Sequence, residues 1–193
     1  MGRRRRMADV FALALLLWAG ASVPLRAQGP EPPPPLERAY LLWRAGTLHH
    51  LLGQYDRAIE LFRESIDIRP TAEAHTYLGW SLSHLGRIEE AIAECRKAIP
   101  LDPDYGNPYN DIGVYLIDLG RPDEAVPWLE KAMRAKRYCC YQFPHFNLGR
   151  VLLMKGQEAA AERAFERALT YDPGYLPARK ALEYLRKHGG QAL

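Results

Sequence analysis

Three features of the sequence predict an all-α fold: a right-handed α-solenoid of four helix pairs closed by a C-terminal capping helix. First, Gly46, Gly79, Gly113 and Gly149 recur at intervals of 33, 34 and 36 residues. Second, an alanine stands twelve residues after each of them, at Ala58, Ala91, Ala125 and Ala161. Third, apolar residues within each block fall three and four apart, the spacing of one helix face. In the second block these are Tyr77, Leu78, Leu82 and Leu85, then Ile88, Ala91, Ile92, Cys95, Ala98 and Ile99.

Residues 1–27 precede the repeats. Arg3 to Arg6 give a basic start, residues 10–23 are a continuous apolar run, and Ala27 supplies a small residue beyond Pro24. That layout predicts a secretory signal peptide. The run has 14 residues, short of the roughly 20 of a spanning helix. Cleavage is expected after Ala27, with Ala21 as the alternative and an uncleaved anchor as the remaining possibility. The predicted location is periplasmic or secreted, with membrane contact only through this leader if it is retained. Residues 28–38 hold Pro30 and Pro32 to Pro35, which predicts an extended polyproline linker.

The four helix pairs are assigned to residues 39–71, 72–105, 106–141 and 142–175. Gly53, Gly86, Gly120 and Gly156 mark the turns within pairs. Pro108, Pro144 and Pro177 open later helices, where the missing N–H costs nothing. The third block is two residues longer, carries Pro127 within its second helix and has Arg137 where the others close on Pro70, Pro103 and Pro173. A proline there removes a helix bond and predicts a bend. Residues 176–188 form the cap, with Leu176, Ala181, Leu182 and Leu185 on its apolar side, and residues 189–193 are a tail.

The blocks resemble the tetratricopeptide-repeat (TPR) family. The last shows the pattern best, with His145, Leu148-Gly149, Leu152, Ala161, Phe165, Ala168 and Pro173; the second has Leu78-Gly79, Leu82, Ala91, Ala98 and Pro103. The resemblance implies that the first helices line a concave groove and that the second, fifth, ninth and twelfth places of each repeat face it. Carried over, these are Tyr40, Trp43, Thr47 and His50, then Glu73, Thr76, Trp80 and Ser83. The third repeat gives Asn107, Asn110, Val114 and Ile117, and the fourth Phe143, Phe146, Arg150 and Leu153. The implied function is a scaffold that takes an extended peptide or a partner helix through aromatic anchors and side-chain amides. Members that grip a chaperone's C-terminal carboxylate do so with cations, whereas here Asp111 stands among the matching places and would repel one. No cofactor is implied, and a pilus or secretion-system assembly factor is the narrower alternative.

Charge and chemistry limit other classes. The net charge of +3 arises in the leader, which has five basic groups and one acidic; the remainder has 21 basic against 22 acidic residues. A body so balanced is not expected to bind nucleic acid. Cys139, Cys140 and His145 suggest a metal or redox alternative, although three ligands are one short of the usual zinc set. The leading expectation for the cysteine pair is apolar filling of a turn, and for Cys95 core packing. No arrangement of nucleophile and base stands out, so the chain is not expected to be an enzyme.

Overall fold

The computed structural model of the chain describes residues 33–188. The leader, most of the proline linker and the tail lie outside them. The described residues form helices joined by tight turns: α1 (Pro35–Leu51), α2 (Tyr55–Ile68), α3 (Ala72–His84), α4 (Ile88–Leu101), α5 (Asn107–Asp118), α6 (Pro122–Arg134), α7 (Gln142–Met154), α8 (Glu158–Tyr171) and α9 (Leu176–His188). None of these is long and apolar enough to cross a membrane. The helices pack as antiparallel pairs, α1 on α2 through α7 on α8, and each second helix packs on the next first helix. Each first helix also touches the next one, α1 to α3 to α5 to α7. The protein is an all-helical repeat solenoid whose inner wall is made by α1, α3, α5 and α7.

Helix α1 starts four residues before the predicted linker boundary. Pro35 is its first residue, where a fixed φ and a missing N–H suit a helix start; Pro34, at φ −50° and ψ 148°, keeps polyproline geometry. The turns inside the pairs are four copies of one motif. At the first, the Gly53 N–H donates to His50 O and the Gln54 N–H to His49 O, with Gly53 at φ 73°. Gly86, Gly120 and Gly156 repeat it at φ 69–74°. A β-carbon is strained in that left-handed region, which is why glycine punctuates each pair.

The repeated helix glycines have a different cause. A β-carbon on Gly46 would lie 2.7 Å from the Phe62 ring, and one on Gly113 2.5 Å from Leu129 Cδ2. On Gly149 it would run into the buried ring of Phe165. At Gly79 the facing side chain is the smaller Cys95, and the nearest atoms are Ala91 O at 3.1 Å and Cys95 Sγ at 3.3 Å. Gly149→Ala should therefore destabilise the domain by about 1–3 kcal/mol through overpacking. At Gly79→Ala, the better helix propensity of alanine, about 0.5–1 kcal/mol, should offset most of a milder clash. Thermal denaturation of the two variants checks this; equal losses would contradict the size-matched contact.

The third repeat shows why Arg137 replaces proline. Its N–H donates to Asp104 O at 2.8 Å, and its O accepts from the Gly106 N–H at 3.2 Å. Proline has no N–H to offer. The Arg137 guanidinium bridges Asp102 at 2.6 Å and Glu73 at 2.8 Å and lies 4.1 Å over the Tyr105 ring. Tyr138 fills the space that a side chain at Gly106 would need. The longer loop is thus clasped onto the end of the second repeat. Helix α6 continues through Pro127, which costs a bond but does not end the helix.

One core runs through the first three repeats and into the fourth, from Ala58 and Phe62 to Leu129 and Val151. A second joins Ala161, Phe165 and Ala168 to Ala178, Leu182 and Leu185 of α9. The cap's buried side includes Ala178, whereas Leu176, expected there, is exposed because it opens the helix.

Candidate functional groove

The α1 end of the inner wall is aromatic. Trp43 meets the Tyr77 ring edge-on at 5.7 Å and lies 5.9 Å from the ring of Tyr40, which is 54% exposed. A pocket of about 660 Å³ opens beside them, lined by Leu36, Ala39, Tyr40 and Trp43 from α1, and by Ser65, Arg69, Thr71 and Glu73. Most of its wall is apolar. The buried Trp43 Nε1–H has no hydrogen-bond acceptor among the described residues. A buried donor without a partner costs roughly 1–3 kcal/mol; this one is closed to solvent, so a bound segment meets it only by displacing the groups that cover it.

Farther along, polar side chains link the first helices beneath the groove. Trp80 Nε1–H on α3 donates to Asp111 Oδ2 on α5. Asn110 Nδ2 donates to Asp111 Oδ1 at 3.3 Å, and Asn147 Nδ2 on α7 donates to Asn110 Oδ1 at 3.1 Å. Arg150 donates to Asn147 Oδ1 at 3.2 Å and to Asp118 Oδ1 at 3.3 Å. Asp111 is buried, and burial raises its carboxyl pKa to about 7 against the opposing pull of the Trp80 and Asn110 hydrogen bonds. Asp111 therefore works inward, holding Trp80, rather than facing the groove as a repelling charge.

Each predicted groove residue has a definite place. Tyr40 and Trp43 line the pocket. Thr47 is half-buried and donates back to Trp43 O at 3.0 Å. His50, half-buried among Tyr55, Tyr77, Trp80 and His84, bonds Ser81 Oγ at 3.0 Å; burial lowers its pKa and His84 adds to that. Thr76 is fully buried and donates to Ala72 O at 2.7 Å, so it is a packing residue and not a contact residue. Asn110 is likewise buried, its amide committed to Asp111 and Asn147. Asn107, half-buried, opens α5. Phe143 is exposed beside Tyr175, whereas Phe146 wedges between Tyr175 and the core ring of Phe165. Arg150 is half-exposed at the end of the polar chain.

The cysteine corner does not assemble a metal set. Cys139 and Cys140 are joined to each other as a vicinal disulfide, and no group of three or more metal-ligating side chains occurs among the described residues. Cys139 is exposed and only Cys140 half-buried, against the expectation of a half-buried apolar pair filling the turn. The His145 ring stacks on Tyr171 at 5.2 Å, and burial lowers its pKa, with Arg167 adding to the effect. Cys95 is free and buried in the core.

Comparison with known proteins bears on the whole array. Models of the tetratricopeptide repeat match residues 25–73 and 52–106, 109–137, and 143–175. The TPR repeat-containing thioredoxin TTL4 of Arabidopsis thaliana is 32% identical over 85 residues, which is 44% of this chain and 12% of that protein. The chain spans 11–23% of the length of the curated relatives it matches. Among solved structures, PilW, a widely conserved type IV pilus biogenesis factor, superposes with a TM-score of 0.72 at 22% identity, covering 79% of this chain and 70% of its own. Pseudomonas aeruginosa pilF superposes with a TM-score of 0.68 at 24% identity, covering 82% and 79%. Repeat matches along most of the chain, set on the glycine contacts and helix pairs seen here, establish that it belongs to the tetratricopeptide-repeat family.

Proposed function

We propose that this chain is a protein-interaction scaffold working outside the cytoplasm, taking an extended peptide or an amphipathic helix of a partner into the groove along α1, α3, α5 and α7. The observation that carries the reading is the apolar pocket at the α1 end, with exposed Tyr40 beside it and the Trp43 N–H unanswered. A rigid aromatic wall over a buried, unpaired donor suits a segment that brings an apolar side chain and, once seated, a backbone carbonyl. The basic, apolar and small-residue layout of residues 1–27 supports export. Photo-cross-linking residues placed at Tyr40 and Phe143, with Arg63 on α2 as the outer-face control, test the groove in the native envelope. Cross-links concentrated at the two groove positions support the reading, and equal yield at Arg63 would sink it. N-terminal sequencing of the exported protein should start near Gln28; intact Met1 in the membrane pellet favours a retained anchor.

A second, narrower reading is a pilus-assembly scaffold. The likeness of the array to PilW and pilF favours it. Loss of pili on deleting the gene, restored by the wild-type chain, is the expected result; unchanged piliation removes this reading and leaves the first intact.

A further inference from the structure

The repeat register identifies a second contact surface, on the opposite side of α1 from α3. The third, seventh and tenth places of the later first helices are largely closed to solvent, in repeats that have another repeat packed before them. Ala74, Leu78 and Ser81 of α3 are buried there, as are Pro108, Ile112 and Tyr115 of α5, and Pro144 and Val151 of α7. Helix α1 has no preceding repeat among the described residues. Its matching places are Leu41, Ala45 and Leu48, followed at the helix cap by Leu52. Leu41 is 45% exposed, Leu48 57% and Leu52 62%. Terminal repeats of such arrays ordinarily turn a polar face outward, and α9 does so at the other end with Arg179, Lys180, Glu183 and Arg186 exposed. The first repeat instead shows an apolar stripe built like an interior one.

The stripe also has the spacing of a helix–helix seam. Steps of four, three and four residues from Leu41 to Leu52 are the a/d repeat of a two-helix coil. Its pattern matches itself when reversed. With a two-fold axis passing between Gly46 and Thr47, Leu41 of one copy faces Leu52 of the other, and small Ala45 faces Leu48. Large meets small twice about the centre, as an isologous interface requires. Exposed Arg44 flanks the stripe, three residues after Leu41 and four before Leu48, and leaves the four seam places apolar.

We propose that this protein pairs with a second copy of itself through an antiparallel α1–α1 seam made by Leu41, Ala45, Leu48 and Leu52. The groove residues Tyr40, Trp43 and His50 lie well round α1 from this stripe, at about 100° per residue, so pairing leaves both grooves open. One seam of this length buries less than the roughly 1,600 Å² of a standard interface. The association is accordingly weak and concentration-dependent.

Light scattering coupled to size exclusion, run on the full chain over a range of concentrations, reads the result. The 22.0 kDa chain should shift to twice its mass as concentration rises. Leu48→Glu and, independently, Leu41→Glu should hold it at one copy with an unchanged helical spectrum, since both side chains are about half exposed in the single chain. Leu101→Glu, an exposed apolar residue of α4, should leave pairing intact. A single-copy mass at every concentration overturns the proposal. So does a dimer that survives both α1 substitutions, because the leader or another surface then makes the contact.

Discussion

Asp111→Asn should flatten the pH dependence of stability between about pH 4 and 7 and raise stability at pH 7 and above. Asp111 has its carboxyl pKa raised from 3.8 to about 7, chiefly by burial. Below pH 4 the side chain is neutral in both the folded and the unfolded chain, and its contribution is fully present. As pH rises toward 7 the unfolded chain releases this proton while the folded chain keeps it. The unfolded state then binds fewer protons, so stability falls. The interval corresponds to roughly 4 kcal/mol, complete once the pH passes the folded value. Glu94 runs the other way: burial raises its pKa, but the bonds from His75 and Lys97 together outweigh that and leave it lowered. Its contribution is lost only on acidification. The difference between wild type and variant isolates Asp111. An asparagine carbonyl still accepts from Trp80, but its amide faces the Asn110 amide, so about 1 kcal/mol of hydrogen bonding is lost. Denaturant melts of both proteins at a series of pH values decide it; parallel curves would mean that Asp111 is ionised in the fold throughout the range.

The sequence reaches the architecture because the close contacts of this fold demand particular residues. Gly46, Gly113 and Gly149 leave no room for a β-carbon, and Gly53 and its three counterparts need positive φ. Such constraints repeat at the repeat length and are visible without coordinates. The groove is less legible. Thr76 and Asn110 occupy the same register as Trp43 and Phe146, yet both are buried, because register states which way a residue points and not how deeply its neighbours cover it. The polar chain from Trp80 to Arg150 joins residues more than thirty positions apart across three helices. Its only trace in the sequence is polarity inside apolar helix stretches, at Asn110-Asp111 and Asn147. The early start of α1 is hidden because consecutive prolines suit an extended linker and a helix opening alike.

Trp43→Phe should weaken partner binding about tenfold while leaving the free protein as stable as before. Trp43, Trp80 and Phe146 are all groove anchors by register, but they are not equivalent. Trp80 holds buried Asp111, and Phe146 packs on Phe165; cutting either to alanine should damage the fold before it reports on a ligand. Trp43 differs because its buried N–H bonds nothing. Phenylalanine keeps a ring against Tyr77 and removes that donor, so lost packing is offset by relief of an unsatisfied group. In the complex the same donor is expected to meet a carbonyl, and losing a bond of about 1.4 kcal/mol is a factor of ten in affinity. Tyr40→Ala, at an exposed ring, should cost as much or more without lowering the melting temperature. Arg87→Ala, in the turn before α4 with its ion pair to Glu90 exposed, should change little, since water and salt screen such a pair. Because the repeat body is nearly neutral, affinity should also fall only mildly with added salt. Titration calorimetry with the captured partner separates the outcomes. Wild-type affinity in Trp43→Phe together with a raised melting point would mean that the indole N–H is merely a flaw in the free fold, and that the partner docks away from the α1 end.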